Sequence, residues 1–313
     1  MKILFTGGSS FTGYWFIRAL AEAGHEVVAI FRKRQDEYEG LRQRRVAQSA
    51  KLCQPVFACS FGTPEFLKLI AGAKAWDLFC HHAAEAANYK RADFDFAGAL
   101  ANNTHNLQTV CGALFRKGCR GMVLTGSVFE FDEGQGEEPR RAFSPYGVSK
   151  GLTAKVFEYY AVLTGLPLGK FVIPNPFGPY EEPRFTSYLA KAWLAGTTPA
   201  VSAPDYVRDN IHVTLLAKAY TAFAAQVPGG PAFQRLGPSG YVESQGVFAQ
   251  RFAAALRPRL KLPCPLELKP QADFSEPLSR HNTDVCDAAK LGWDEASAWD
   301  ELARYYCEAF RGA

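Results

Sequence analysis

Residues 2–13 read Lys-Ile-Leu-Phe-Thr-Gly-Gly-Ser-Ser-Phe-Thr-Gly, and this stretch decides the fold of the 313-residue chain. The apolar run Ile3–Phe5 predicts a buried strand, and the glycines after it predict a tight turn. Beyond the turn, apolar residues recur at helical spacing as far as Ala23, and Gly24 ends that helix. The stretch therefore predicts a strand, a glycine-rich turn and a helix in direct succession.

Short apolar runs continue to alternate with amphipathic stretches through the N-terminal half. We predict strands at Lys2–Thr6, Glu26–Phe31, Leu78–His81, Gly121–Thr125 and Leu168–Ile173. Strand–helix alternation of this kind is typical of an α/β fold with a Rossmann-type doubly wound parallel sheet.

After about Asn175, prolines break the pattern into loops and short elements. We predict a Rossmann-type, NAD(P)-binding domain of residues 1–174, to which about 206–223 returns as a strand and a helix. The remaining segments, 175–205 and 224–313, are predicted to form a smaller C-terminal substrate lobe.

Composition and charge narrow the possible partners. The net charge is +4, with 35 basic against 31 acidic residues, so nothing favours a nucleic-acid partner. No apolar run is long enough to span a membrane, and Met1 leads directly into a predicted strand rather than a signal peptide. The 8 cysteines are scattered without a Cys-x-x-Cys pair, which favours thiols in a reducing cytoplasm over disulfides or a metal site.

A second informative stretch is Ser-Pro-Tyr-Gly-Val-Ser-Lys at residues 144–150. Ser144 can cap a helix there, and Pro145 suits its first turn. Tyr146 and Lys150 then lie on one face of that helix, one turn apart. A nearby ammonium stabilises a phenolate and lowers the pKa of the phenol, so the pair can donate and accept a proton.

Together, the glycine turn and this pair resemble the extended short-chain dehydrogenase/reductases, in particular their nucleotide-sugar epimerase/dehydratase branch. The resemblance runs from Lys2 to about Phe310. It implies an NAD(P)-dependent enzyme in which Tyr146 and Lys150 are catalytic and also contact the cofactor.

The glycine turn is expected to bind the cofactor's diphosphate, because a helix N-terminus favours anions. Ser10 takes the place of the family's middle glycine, where backbone normally approaches the pyrophosphate, but serine is small and can cap the helix. The residues expected to contact the cofactor here are Gly7, Ser9, Ser10, Phe11, Thr12 and Gly13.

The end of the second predicted strand bears on the type of cofactor. An NAD enzyme usually has an acidic residue there, whereas this chain has Phe31 followed by Arg32 and Lys33. Guanidinium and ammonium groups can hold a 2′-phosphate, so we favour NADP over NAD. The resemblance also implies further cofactor contacts from Ser60, Phe61, His81, Ala83 and Ala84.

The resemblance implies a third catalytic group, a hydroxyl just after the fifth strand. Thr125 and Ser127 both qualify, and the sequence leaves the choice open. Related dehydratases carry an Asp-Glu pair directly after the threonine, where this chain has Gly126-Ser127. We expect Glu130, Asp132 and Glu133 to lie in a surface loop. A dehydratase is therefore disfavoured, which leaves 4-epimerisation or reduction of a 4-keto sugar, and the basic Arg32 and Lys33 slightly favour reduction.

Three residues are expected to bind a nucleotide-diphosphate sugar. Asn175 opens Asn-Pro-Phe-Gly-Pro, and Arg208 opens Arg-Asp-Asn-Ile-His-Val, both of which resemble family signatures. Arg280 resembles a second diphosphate-binding arginine, and a planar guanidinium matches phosphate oxygens.

Two other functions compete with this interpretation. One is reduction of a small ketone or aldehyde, as in the dihydroflavonol-reductase branch; Arg208 and the motif at 175–179 argue against it. The other is an NADP-sensing regulator without turnover, against which Tyr146 and Lys150 argue. The resemblance also implies a homodimer formed through helices at roughly 95–117 and 145–164.

Overall fold

A computed structural model describes residues 1–89, 91–273 and 276–310. In these ranges the strands, numbered in chain order, are β1 (Lys2–Thr6), β2 (Glu26–Ile30), β3 (Gln54–Val56), β4 (Leu78–His81), β5 (Met122–Ser127), β6 (Gln135–Gly136), β7 (Leu168–Ile173), β8 (Asn175–Phe177), β9 (Ala200–Val201), β10 (Val207–His212), β11 (Phe233–Leu236), β12 (Pro238–Ser239), β13 (Tyr241–Ser244), β14 (Glu267–Leu268), β15 (Ser279–His281) and β16 (Asp284–Val285). The α-helices are α1 (Phe11–Glu22), α2 (Gly40–Ser49), α3 (Pro64–Gly72), α4 (Phe96–Asn103), α5 (Leu107–Arg116), α6 (Pro145–Thr164), α7 (Phe185–Leu194), α8 (Val213–Gln226), α9 (Gln245–Leu260) and α10 (Glu295–Phe310). A 3-10 turn spans Gln35–Glu37.

The chain divides into two compact units. Unit 1 consists of Met1–Glu133, Arg140–Ile173 and Ala217–Gly237. Unit 2 consists of Gly134–Pro139, Pro174–Leu216 and Pro238–Ala313.

Unit 1 is built on a parallel sheet with the strand order β11-β7-β5-β4-β1-β2-β3. Ile3, Leu4 and Phe5 of β1 are fully buried in its centre, because both faces of such a sheet are covered. The strand order reverses direction beside β1, where ligands bind at the carboxyl ends of strands in this architecture. The prediction of a Rossmann-type doubly wound sheet is confirmed.

Unit 2 contains a sheet of order β13-β10-β15-β6, in which β8 also pairs with β10. Its core is aromatic: Phe177, Trp193, Phe252, Trp299 and Tyr306 are all buried. Helices α7, α9 and α10 supply most of these rings.

Besides Gly134–Pro139, which was predicted in the Rossmann-type domain but belongs to unit 2, the division differs from the predicted one at two segments. Strand β10 was expected in the large sheet, but it hydrogen-bonds β8, β13 and β15 and so belongs to unit 2. Conversely, Phe233–Leu236 was expected in the substrate lobe, but this strand extends the large sheet by pairing with β7. In both places the strand partner, which is distant in sequence, decides the assignment.

Across the described residues, no helix combines the length and the apolar character needed to cross a membrane.

Candidate active site

The glycine turn is tightly wound against the start of α1. Gly7 has a φ of +84°, and a Cβ there would lie 2.7 Å from the backbone nitrogen of Ala83. A Cβ at Gly13 would clash with the carbonyl oxygen of Gly7. Ser10 caps α1, since its Oγ accepts from the Gly13 nitrogen at 3.0 Å and donates to the Gly7 oxygen at 2.9 Å. A backbone turn of this kind at a helix N-terminus fits a diphosphate, and the predicted Ser10 cap is present.

Arg45 of α2 supports this turn from within unit 1. Its side chain is only 1% exposed, and its Nε donates to the carbonyl oxygen of Ser9 at 3.1 Å. Nothing in the sequence singles out Arg45, because a basic residue among other basic residues resembles a solvated surface. Phe11 is buried, and Thr12 faces His82 through its hydroxyl.

The end of β2 combines a buried ring with exposed charges. Phe31 is buried and stacks on Phe57 at 5.1 Å between ring centroids. Arg32 and Lys33 follow it in the exposed part of the chain. Arg32 forms an ion pair with Glu85 at 3.2 Å, and an exposed pair of this kind contributes little stability, so it leaves Arg32 able to bind an anion.

The side chains of Phe61 and His81 lie in the apolar core of unit 1. The His81 ring lies 4.3 Å from that of Phe61 and 5.0 Å from that of Phe157, and its Nδ1 lies 3.1 Å from Thr6 Oγ1. Burial lowers the pKa of His81 to about 3. Both side chains therefore pack the core of unit 1, and a cofactor contact from Phe61 or His81 stays a prediction. Ser60 accepts hydrogen bonds from Thr63 through its carbonyl oxygen.

The turn after β4 is anchored on Thr6. The Thr6 Oγ1 accepts from the backbone nitrogens of His82 and Ala83, at 3.1 and 3.0 Å. This brings Ala83 against the glycine turn, and Ala84 follows it with partial exposure.

His82, which was not among the predicted site residues, contacts both the glycine turn and β5. Its Nε2 lies 3.0 Å from Ser10 Oγ and 3.1 Å from Thr12 Oγ1, and its Nδ1 lies 3.0 Å from Thr125 Oγ1. The ring thus joins the glycine turn to β5. The sequence offered only one signal, the second histidine of a His-His pair at the end of a strand.

Lys150 and Thr125 are in direct contact. The Lys150 Nζ donates a short hydrogen bond to the carbonyl oxygen of Thr125, and both residues are buried. Burial lowers the pKa of Lys150 to about 8, although the nearby Glu130 opposes that shift. Lys150 therefore carries its charge at neutral pH and loses it under mildly alkaline conditions.

The two candidate hydroxyls have different surroundings. Thr125 is buried and faces His82, whereas Ser127 keeps some exposure and its Oγ accepts from the Phe129 nitrogen at 3.2 Å. Ser127 thus closes the turn after β5, while Thr125 belongs to the contacts of Lys150.

Tyr146 lies in the first turn of α6, as predicted. Pro145 is the first residue of that helix and Ser144 occupies the N-cap, but the Ser144 side chain makes no capping hydrogen bond. The Tyr146 ring lies 5.4 Å from that of Tyr89 and 6.0 Å from that of Phe94.

Two of the three acidic residues predicted in a surface loop are buried. Glu130 is 0% exposed and Glu133 is 6% exposed; only Asp132 lies on the surface. The Lys170 Nζ lies 2.7 Å from Glu130 and 2.6 Å from Glu133, and Arg235 lies 2.7 Å from Glu133. The expectation was wrong because these carboxylates are neutralised by cations from distant strands, which makes burial possible.

Asn175 and Asn210 face each other on paired strands of unit 2. They are register partners in β8 and β10, and the Asn175 Nδ2 donates to Asn210 Oδ1 at 2.6 Å. Asn210, which replaces an aromatic residue of the family pattern, thereby fixes the amide of Asn175.

The two predicted diphosphate-binding arginines are neighbours in the same sheet. Arg208 of β10 and Arg280 of β15 are register partners on parallel strands. They are 5% and 0% exposed, so neither is a surface charge. Gly136 pairs with Arg280, and a Cβ at Gly136 would clash with the carbonyl oxygen of Ser279.

Arg208 already has an acidic partner. Its guanidinium lies 3.2 Å from Glu276 and donates to the Pro277 oxygen at 2.9 Å. It also stacks over Tyr206, with the guanidinium carbon 3.2 Å from the ring centroid. Tyr206 donates a short hydrogen bond to the same Glu276. A substrate anion would therefore compete with the Glu276 carboxylate for this guanidinium.

Comparison with known proteins agrees with this fold. The family model described as "NAD dependent epimerase/dehydratase family" matches residues 3–235, so the chain belongs to that family. It is an NAD(P)-dependent enzyme of the extended short-chain dehydrogenase type.

A UDP-glucose 4-epimerase from Azospirillum brasilense is 25% identical over 250 residues, which cover 70% of this chain and 67% of that protein. Among solved structures, a UDP-glucose 4-epimerase from Stenotrophomonas maltophila with bound NAD matches with a TM-score of 0.75, 19% identity and full coverage of both chains. A UDP-glucuronic acid 4-epimerase variant from Bacillus cereus, in complex with a fluorinated UDP-glucuronic acid and NAD, also has a TM-score of 0.75, with 16% identity over 99% of this chain and 100% of that chain. At such identities the structural matches establish the fold.

Proposed function

We propose that the chain is a nucleotide-sugar 4-epimerase with a tightly held nicotinamide cofactor. One observation carries the proposal: a continuous series of contacts runs from the glycine turn through His82 and Thr125 to Lys150. These contacts link the residues that we propose bind phosphate to Lys150, the proposed partner of Tyr146, within unit 1. The relative from Azospirillum brasilense, a UDP-glucose 4-epimerase, favours epimerisation over reduction.

In this proposal Tyr146 takes the proton of a sugar hydroxyl and later returns it to the same oxygen. When bound, the nicotinamide supplies the acceptor and donor of hydride. Lys150 favours the phenolate of Tyr146 through its positive charge, which it holds at neutral pH because its pKa is about 8. Thr125 lies beside Lys150 and is the better candidate for the hydroxyl that orients the reacting oxygen.

The buried carboxylates support an epimerase rather than a dehydratase. Glu130 and Glu133 are held by Lys170 and Arg235, and Gly126-Ser127 stand where dehydratases carry their acidic pair. Gly126 leaves room for this cluster, because a Cβ there would lie 2.9 Å from Lys170 Cε.

A nucleotide-diphosphate sugar is the proposed substrate class. Asn175, Arg208 and Arg280 are the residues that we propose bind its diphosphate side. Support comes from the pairing of both arginines on adjacent strands, where two forks can reach one diphosphate.

For the cofactor, we propose that Arg32 and Lys33 bind a 2′-phosphate and so favour NADP(H). Their exposure and the buried Phe31, where NAD enzymes carry a carboxylate, support this. The structures from Stenotrophomonas maltophila and Bacillus cereus hold NAD, so the choice needs a direct test. Arg32→Ala should weaken NADPH binding about ten-fold and leave NADH binding unchanged, by loss of one charged contact. Equal weakening of both would contradict the role of Arg32.

The primary experiment denatures freshly purified protein and identifies any released nucleotide by mass spectrometry. In parallel, UDP-glucose is incubated with the native protein and the sugar products are separated. Stoichiometric release of a nicotinamide dinucleotide together with conversion to UDP-galactose is the expected result. Protein that is purified empty, binds NADPH and does not epimerise would favour the 4-keto-sugar reductase, the reaction that Arg32 and Lys33 support.

We also propose a homodimer through α6 and the preceding helices. Tyr159, Val162 and Leu163 of α6 are exposed, as is Phe96 of α4. Apolar side chains clustered on one helix favour an interface over solvent. Light scattering that gives the mass of one chain would exclude the dimer.

A further inference from the structure

His82 spans the gap between the phosphate-binding turn and the catalytic strand. Its two ring nitrogens each lie within 3.1 Å of a hydroxyl: Nε2 faces Ser10 and Thr12, and Nδ1 faces Thr125. The ring is held in place by its backbone, which donates to Thr6, and by Phe16, whose ring lies 5.1 Å away at 70°.

The imidazole is neutral in this position. Although His82 keeps some accessible surface, the enclosure of its ring and the charge of Lys150 lower its pKa to about 3. A neutral imidazole has one donor and one acceptor nitrogen, on opposite sides of the ring. If Nδ1 donates to Thr125, Nε2 must accept from the turn, and the other tautomer reverses both roles.

The tautomer decides what the Thr125 hydroxyl can do. A hydroxyl has one proton, so Thr125 can donate to a substrate oxygen only when His82 does not receive that proton. Ser10 has less freedom, because it already donates to the Gly7 oxygen and accepts from the Gly13 nitrogen. The glycine turn therefore favours one tautomer of His82, and that tautomer favours one orientation of the Thr125 hydroxyl.

We propose that His82 is a positioning residue that couples occupancy of the phosphate-binding turn to the orientation of the Thr125 hydroxyl. The proposal rests on the function proposed above only in treating Thr125 as the reacting hydroxyl. A cofactor phosphate that binds the Ser10 or Thr12 hydroxyl changes the hydrogen bond between that hydroxyl and Nε2. Because the two nitrogens of a neutral ring have opposite roles, the role of Nδ1 toward Thr125 changes as well.

The first test reads the ring directly, by nitrogen-15 NMR of the full chain labelled at histidine, with His82 assigned by the loss of its signals in His82→Gln. We expect one neutral tautomer from pH 8 to pH 5. Thr125→Val and Thr12→Val should each shift the ring resonances, and so should saturation with NADH or NADPH. Ser127→Ala removes a hydroxyl from the same strand away from the ring and is the matched control for these spectra. A ring that protonates with an ordinary pKa, or that ignores Thr125→Val, would overturn the proposal.

The second test separates the two sides of the ring. Asparagine places its amide near the position of Nδ1, and glutamine places its amide near that of Nε2. His82→Asn should weaken NADH binding about ten-fold, as expected for one lost hydrogen bond, and should reduce turnover of UDP-glucose less than His82→Gln does. His82→Gln should keep NADH binding and reduce turnover by a similar factor.

A purely structural role gives a different result. In that case His82→Leu, His82→Asn and His82→Gln should all behave alike. Each should lose NADH binding and turnover equally and have a lower melting temperature, and this pattern would overturn the proposal. If the wild-type protein binds NADH but does not turn over UDP-glucose, the proposed function fails. The NMR shifts and the binding difference between His82→Asn and His82→Gln still decide the role of His82.

Discussion

The two units hold their candidate functional residues in different ways. In unit 1 the glycine turn, the end of β5 and the start of α6 are each set by a few consecutive residues. His82 connects the turn to β5, and Lys150 of α6 contacts the Thr125 oxygen of β5. In unit 2 Arg208 and Arg280 come together only because β10 pairs with β15, and Arg208 is already engaged by Glu276. Local motifs therefore position the candidate residues of unit 1. In unit 2 the proposed role of the arginines depends on strand pairing between distant segments, and on whether a substrate diphosphate can compete with Glu276 for Arg208.

The largest effect should come from the proton-transfer residue of unit 1. Tyr146→Phe removes the only group proposed to carry the proton, so turnover of UDP-glucose should fall by about 10³-fold. The dissociation constant of NADH, measured by fluorescence titration, should hardly change. Tyr89→Phe removes a hydroxyl from the neighbouring ring and serves as the control. Substantial turnover by Tyr146→Phe would rule out the acid/base assignment.

A second prediction tests whether unit 1 also depends on distant partners. Lys170→Met leaves Glu130 and Glu133 buried with less compensation, which should lower the free energy of unfolding by about 3–5 kcal/mol. Chemical denaturation measures this loss. The control, Arg120→Ala, breaks the exposed pair with Asp77 and should cost less than about 1 kcal/mol. Equal losses would show that the buried cluster contributes no more than a surface pair.

A third prediction concerns unit 2. Arg208→Ala should raise KM for UDP-glucose about 10–100-fold, the range for lost charged hydrogen bonds, and change kcat much less. Arg208→Lys keeps the charge but loses the planar fork, so an intermediate KM is expected. Arg251→Ala, which removes a partly exposed partner of Glu243 in the same unit, is the matched control. An unchanged KM in Arg208→Ala would favour a small ketone as substrate.

A smaller difference should appear on acidification. In unit 1, His81 and His82 have pKa values lowered to about 3, so the unfolded state binds more protons and stability falls as pH drops below about 6.5. In unit 2, His212 behaves in the same way. There, however, burial raises the pKa of Glu181 to about 7 and that of Asp209 to about 6. Because the folded state then binds more protons than the unfolded state, acid stabilises the fold through these two groups.

Amide hydrogen exchange between pH 7 and pH 5, corrected for intrinsic rates, measures this difference. As the pH falls, the free energy of opening the unit 1 sheet should decrease more steeply than that of unit 2. The slope is near 1.4 kcal/mol per pH unit for each extra proton bound on opening. A steeper pH dependence in unit 2 would contradict the expectation that Glu181 and Asp209 offset the effect of His212.

The fold was largely predictable because its signals are local. Strands β1, β4 and β7 have the predicted bounds, since apolar residues dominate each of them. Strands β3 and β11 were missed: β3 has three residues and contains Pro55, and β11 has two polar residues between its apolar ends and is partly exposed. Neither carries a signal strong enough to stand out without its neighbour in the sheet.

The site was predictable only in part, for the same reason. Gly7, Ser10, Tyr146 and Lys150 lie in motifs whose geometry follows from adjacent residues. The burial of Glu133 depends on Lys170 and Arg235, which are distant in sequence, and charged residues in a turn otherwise resemble a surface. The role of His82 depends on hydroxyls from α1 and β5, which only the folded sheet brings together.

Strand β6 has a consequence for the order in which the protein can be made. It lies between β5 and α6 in the chain, yet its partner is β15, which leaves the ribosome much later. Strand β11, in turn, completes the sheet of unit 1 only after β10 of unit 2 has emerged. Because loop closure precedes the gain from such distant pairings, neither unit can finish folding as an N-terminal piece during synthesis. Fragments that end at Ile173 should therefore aggregate rather than yield an isolated cofactor-binding domain.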